Sequence, residues 1–180
     1  MSKLIVVTGP PGAGKTTVAR ALVQLFDPSA LVTGDDFFSF VQRGYFPPWT
    51  ATAHSQNEVV VAAAAAAAGR LVAGGYTVVY DGVVGPRFLE TFAEAAGMGT
   101  VHYLVLLPPE QVCLDRVRHR EGHGFTNLDA ARHMYRDFAG ADIDTRHVLT
   151  TDGVAAETTA SSIPARVADG SLSWTMDTSG

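Results

Sequence analysis

Lysine is nearly missing from this chain of 180 residues: it occurs only at Lys3 and Lys15, and arginine supplies the other basic side chains. Acidic residues outnumber basic ones, for a formal net charge of -5. Neither feature suits a surface that grips a polyphosphate backbone, which needs clustered cations, so a nucleic-acid partner is disfavoured. Cysteine is equally scarce. With Cys113 alone the chain has no internal disulfide, and a reducing cytosol suits it. No apolar run is long enough to span a bilayer before Gly, Arg or Asn interrupts it. The opening MSKLIVVTG reaches glycine after too short an apolar run for a secretory signal. The expectation is a cytoplasmic protein without a membrane partner.

The remaining composition, 47% hydrophobic and 17% charged, is that of an ordinary globular domain large enough to bury a core. Apolar, β-rich runs alternate with helical segments. LIVVTG, ALVTGDD, YTVVYDG, VHYLVLLP and RHVLTTDG read as strands. Between them lie TTVARALVQLF, NEVVVAAAAAAAGRLVAGG, PRFLETFAEAAG, PEQVCLDRVRHRE and NLDAARHMYRDFAG as helices, the last with Asn127 as its N-cap. A final helix, AAETTASSIPARVADG, is expected to break or restart at Pro164. The alanine run from Ala62 to Ala68 predicts a slim helix that packs close to its neighbours. This alternation predicts an α/β fold: a five-stranded parallel sheet with helices on both faces, in one domain over residues 1–170. Residues 171–180 are expected to fray.

GPPGAGKTT contains Gly9-x-x-x-x-Gly14-Lys15-Thr16, after a predicted strand and before a predicted helix. That context makes it a phosphate-binding P-loop. Glycine lets the backbone curl so that N–H groups face phosphate oxygens. Pro10 and Pro11 carry no N–H, so most donors must come from Gly12, Ala13, Gly14, Lys15, Thr16 and Thr17, with Gly9 opening the turn. Lys15 reaches the β- and γ-phosphates, and the Thr16 hydroxyl is the expected Mg²⁺ ligand. The cofactors implied are ATP and Mg²⁺.

Carboxylates mark the same sheet edge. Asp35 and Asp36, in TGDDFFSF, follow the second predicted strand. On an extended backbone such neighbours point opposite ways and hold separate jobs. In a parallel α/β sheet ligands bind at the carboxyl ends of the strands, so a carboxylate here can accept a proton from a hydroxyl attacking the γ-phosphate. Asp81, closing TVVYD, fits a Walker B position that holds Mg²⁺ directly or through water. No N-K-x-D guanine-reading motif is present, which favours a kinase over a GTPase. Arg87 either binds an anionic group or is solvated in a first helical turn. His119 and His123 do not make a metal site, because Gly122 and Gly124 break the helix and no third ligand matches.

From GPPGAGKTT through GDDFF, VVYDG and DRVRHRE to the last strand, the chain resembles the small P-loop kinases. These include chloramphenicol phosphotransferase, shikimate and gluconate kinases, the zeta toxins and polynucleotide 5'-kinase. The resemblance implies a nucleoside-kinase-like P-loop fold with a short lid at about 119–127. It assigns the general base to Asp36, with Asp35 orienting the loop or meeting Mg²⁺ through water. It relates Asp81 to a substrate-touching DG segment as well. It also implies lid-side arginines, with Arg116 on adenine and Arg120 on the γ-phosphate. The acceptor pocket would lie in SFVQRGYFPPWTATAHSQNE, where Tyr45, Phe46 and Trp49 either form apolar walls or plug the core. Arg43, His54 and Gln56 are its polar points. The expected activity is Mg-ATP-dependent transfer of phosphoryl to a hydroxyl of a small molecule, an antibiotic or a metabolite. A nucleic-acid 5'-hydroxyl or nucleoside kinase, and a nucleotide-dependent switch or toxin-like module, are the alternatives.

Overall fold

A computed structural model describes residues 3–119 and 125–176. Five apolar runs become parallel strands: β1 (Leu4–Thr8), β2 (Ser29–Thr33), β3 (Thr77–Asp81), β4 (Thr100–Leu106) and β5 (Val148–Leu149). Every residue of β1 is buried, as a central strand covered on both faces requires. The helices are α1 (Lys15–Val23), α2 (Gly34–Ser39), α3 (His54–Ala73), α4 (Pro86–Ala95), α5 (Glu110–Arg118), α6 (Leu128–Ala139) and α7 (Ala156–Ala168). The strand order is β2-β3-β1-β4-β5. Two core layers flank the sheet. One gathers Leu4, Val6, Tyr80 and Tyr103 under α3 and α4; the other gathers Ile5, Val7, Leu104 and Leu106 under α1 and α7.

Among the described residues the sheet has six strands rather than five. A short β6 (Ser173–Thr175) runs antiparallel along Thr100–His102 of β4. It lies in the segment expected to fray. Its anchor is Leu172, fully buried, with Trp174 packed partly under the first core layer. A second correction concerns α7, which runs through Pro164 without a break. Proline there forfeits one backbone hydrogen bond. Burial of Ala160, Ile163 and Val167 in the second core layer outweighs that loss. A third correction is local: GDD is not extended. Asp35 and Asp36 sit in the first turn of α2, about 100° apart around its axis.

The alanine-rich α3 does pack closely. A Cβ built on Gly69 would lie 2.0 Å from the Ala96 carbonyl oxygen. Gly69→Ala gains about 1 kcal/mol of helix propensity, but a backbone clash this short puts overpacking at or beyond the usual ~1–3 kcal/mol. A lower Tm than wild type is the expected result in a thermal melt.

His147 is buried, and its Nδ1 lies 3.0 Å from the Tyr103 carbonyl oxygen, so that nitrogen carries a proton and donates it. Burial lowers the pKa of His147 below its ordinary 6.5, and burial lowers that of His102 too. Both rings are therefore held neutral by the fold while the unfolded chain still takes up protons. The stability they contribute is complete above about pH 6.5 and is lost as pH falls toward the folded-state values. An NMR titration should place the His147 midpoint below 6.5, and a midpoint above it would sink the assignment.

Candidate active site

The parallel register brings the chemistry to one edge. Val7 of β1 pairs with Asp81 of β3, and Asp81 pairs in turn with Thr33 of β2. The phosphate loop leaves β1 at that level, and Asp35 and Asp36 follow β2 there. Asp81, 3% exposed, stands between them. A buried carboxylate here needs compensating charge or hydrogen bonds.

The loop is built as the motif demands. Gly9, Gly12 and Gly14 have φ of 142°, 81° and 93°. Side chains are excluded at the first two: a Cβ would lie 2.2 Å from the Leu106 carbonyl oxygen at Gly9 and 2.2 Å from that of Cys113 at Gly12. Gly14 caps α1, and Lys15, Thr16 and Thr17 form its first turn, so their N–H groups and the helix dipole face the same space. Ala13 is buried beneath. The Lys15 Nζ donates to the Pro10 carbonyl oxygen at 3.0 Å. Arg116, in the last turn of α5, donates from Nη1 to the Gly12 carbonyl oxygen at 3.2 Å. Arg116 thus rests on the loop. Arg118 bonds instead to Asp115, at 3.4 Å. Arg120 and most of the expected lid lie outside the described residues.

Cys113 lies under the loop in α5. Burial pushes its thiol up to about 11, with a smaller opposing pull from Arg116 and Lys15, so it is protonated at neutral pH. Thr16 and Asp81 could supply the one or two protein oxygens through which Mg²⁺ binds together with phosphates and waters. Among the described residues, no cluster of three or more His, Cys, Asp or Glu could hold a metal alone.

On the acceptor side, Asp35 and Asp36 are both exposed. Burial and the nearby Asp35 charge raise the pKa of Tyr45, and the same two causes, with Asp81 added, raise that of Tyr80. The Asp35 charge thus acts on both phenols, in each case after burial. Gln56 uses both ends of its amide on the Phe46 backbone, each at 2.8 Å, and Asn57 Nδ2 donates to the Pro48 carbonyl oxygen at 2.7 Å. These bonds pin the 45–48 segment to α3. Trp49 meets Phe125 edge-on, with ring centroids 4.8 Å apart. His54 opens α3, 3.3 Å from Glu58 and 5.7 Å from the Phe88 ring centroid. Arg43 is exposed beside Gly44. Arg87 is 84% exposed and lies 4.0 Å from Asp137 of α6, a surface carboxylate.

Several braces lie outside the motif. Thr8 Oγ1 accepts from the Val84 N–H at 2.8 Å and donates to the Val84 carbonyl oxygen at 3.2 Å, and Tyr103 Oη donates to that same oxygen at 2.8 Å. This buried knot ties the start of the phosphate loop to the segment after Asp81. Thr151 donates to the Ala13 carbonyl oxygen at 3.5 Å. Thr8 immediately precedes Gly9, a polar residue at the end of an apolar strand; that position is the one signal the sequence held.

Residues 4–139 match a family model described as an AAA domain. The chain belongs to that family. No curated protein is similar enough in sequence to match. Among solved structures, the tunicamycin resistance protein of Deinococcus radiodurans superposes with a TM-score of 0.70 at 20% identity, over 93% of this chain and 96% of that one. A gluconokinase from Sinorhizobium meliloti gives 0.61 at 21%, covering 94% of each chain. Shikimate kinase from Acinetobacter baumannii, in complex with shikimate, gives 0.60 at 21%, covering 96% of each. At these identities the likeness is one of fold, and that fold is the P-loop kinase fold. Among the described residues no helix is long and apolar enough to cross a membrane.

Proposed function

We propose that this P-loop kinase moves the γ-phosphate of Mg-ATP to a hydroxyl of a small molecule. The observation that carries the reading is the single sheet edge shared by the phosphate loop, the buried Asp81 and the exposed Asp35–Asp36 pair. The acceptor hydroxyl approaches Asp36, which takes its proton. Lys15 and the loop N–H groups hold the β- and γ-phosphates. Mg²⁺, on Thr16 and Asp81, would neutralise charge on the phosphates. Arg116, held against the loop through the Gly12 carbonyl oxygen, is the adenine-side residue. Tyr45 and the pinned Phe46 border the acceptor. The kinases with related folds act on sugars and other small metabolites, as their names state. One cysteine and a protonated thiol suit work in the cytoplasm.

The test is label transfer from γ-labelled ATP with Mg²⁺ to a panel of hydroxyl-bearing antibiotics, sugars, shikimate, gluconate, nucleosides and a 5'-hydroxyl oligonucleotide. Label on one small acceptor, absent with Asp36→Asn, is the expected result. Label on the oligonucleotide alone would overturn the small-molecule assignment.

A further inference from the structure

Strand β1 leaves β3 just where it becomes the phosphate loop. Their register runs to Val7 and Asp81, with the Gly82 N–H donating to the Val7 carbonyl oxygen at 3.3 Å. Thr8 pairs by its backbone with Val105 of β4, on the other side. Its side chain takes up the β3 side instead. Oγ1 accepts from the Val84 N–H at 2.8 Å and donates to the Val84 carbonyl oxygen at 3.2 Å. One hydroxyl thus satisfies both backbone groups of Val84, the service a neighbouring strand would give. Tyr103, opposite Val6 on β4, donates from Oη to the same carbonyl oxygen at 2.8 Å. Thr8, Val84 and Tyr103 are all buried, so solvent cannot replace these bonds.

The segment so held begins with Asp81. Val7 and Val79 face the core layer under α1, and Tyr80 faces the opposite layer. Alternation therefore turns the Asp81 side chain to the α1 face, where the phosphate loop ends. Asp81 is the last residue of β3, and a strand end held from one side only is prone to fray. Val84 is the second hold, just beyond it. Gly85 then caps α4, so the same anchor fixes where that helix starts. A buried threonine can satisfy its hydroxyl locally, as Thr159 does on the Ala155 carbonyl oxygen. Thr8 instead directs both of its functions to a residue 76 positions away.

We infer that Thr8 and Tyr103 are positioning residues, which through Val84 fix the height of the Asp81 carboxylate against the phosphate loop. The inference rests on the kinase reading above, in which Thr16 and Asp81 offer oxygens to Mg²⁺. Both hydroxyls act through the backbone they hold. The N–H donors of Gly12 to Thr17 lie on the other side of Gly9 and do not depend on Val84. Loss of the knot should therefore weaken the Mg²⁺-dependent part of nucleotide affinity and spare the rest.

Calorimetric titration of the full chain with a non-hydrolysable ATP analogue, once with excess Mg²⁺ and once with EDTA, tests this without knowledge of the acceptor. The readout is the ratio of the two affinities, taken well below the Tm of every variant. Thr8→Val keeps the shape and removes the hydroxyl. It should cut the ratio roughly tenfold, the scale lost with a residue that orients a metal ligand, and leave the affinity in EDTA unchanged. Thr8→Ser should restore the ratio. Tyr103→Phe, which leaves Thr8 on Val84, should lower it less. Hydrogen exchange should quicken over residues 82–85 in Thr8→Val and hold over 12–17. A lower Tm with an unchanged ratio would reduce the knot to core packing and overturn the inference. Equal losses with Mg²⁺ and with EDTA would overturn it too, by placing the effect in the loop itself. So would a Thr8→Ser protein that behaves as Thr8→Val does. If Thr8→Val does not fold, Tyr103→Phe decides, and a wild-type ratio there overturns the inference. Wild-type affinity indifferent to Mg²⁺ would remove the ion from the kinase reading, and this inference with it. No binding of the analogue at all would remove both the kinase reading and the inference.

Discussion

Asp36→Asn is expected to bind Mg-ATP as the wild type does and to transfer phosphoryl roughly a hundred- to ten-thousand-fold more slowly, the range lost with a general base. The substitution keeps shape and removes basicity. Because Asp36 is exposed in the first turn of α2, its structural role among the described residues is a favourable interaction with the helix dipole, about 0.3–1 kcal/mol, too small to unfold a domain. Single-turnover transfer from γ-labelled ATP, beside a nucleotide titration, separates chemistry from binding. Asp35→Asn is the discriminating partner. Its charge adds to burial in raising the pKa of Tyr45 and Tyr80, so its loss should lower the Tyr45 pKa toward the ordinary value and reduce transfer far less. The reverse pattern would make Asp35 the base, and two near-normal enzymes would dismiss both.

Gly12→Ala is expected to damage both stability and nucleotide binding. The position combines φ of 81° with an approach of 2.2 Å to the Cys113 carbonyl oxygen and 2.9 Å to its carbon. Both partners are backbone, so no rotamer change relieves the contact. Left-handed strain and overpacking each cost about 1–3 kcal/mol. Together they should lower the Tm by roughly 5–20 °C in a chain of this length. Nucleotide affinity should fall at least about tenfold, because the loop must move away from α5 and its N–H groups lose their common focus. Gly14→Ala is the control: φ is 93°, but the nearest atom is the mobile Arg116 Nη1 at 3.7 Å, so strain acts there without a clash. Equal effects of the two substitutions would sink the explanation.

The strands were readable because parallel strands covered on both faces are nearly continuous apolar runs, and LIVVT and TVVYD are of that kind. The phosphate loop was readable because glycines, lysine and threonine at fixed spacing leave few other uses. The helical state of Asp35 and Asp36 was not. A six-residue helix has no hydrophobic period, and Gly34, which reads as a turn, is glycine because Tyr80 Oη would meet a Cβ at 2.3 Å. Arg116 on Gly12 and Gln56 on Phe46 were hidden for a different reason. Such bonds join residues 104 and 10 positions apart, and only the folded backbone says who meets whom. Pro164 misled because local propensity at that point loses to burial of its neighbours.

The outer edge of β4 is shared by two strands: β5 pairs with Val105 and Leu106, and β6 covers Thr100 to His102. Without β6, that second stretch would offer unpaired N–H and C=O groups to any passing strand. The last described segment therefore covers that stretch of edge. Shortening the chain before Ser173 should leave the phosphate loop intact yet turn a monodisperse preparation into one that self-associates through its sheets.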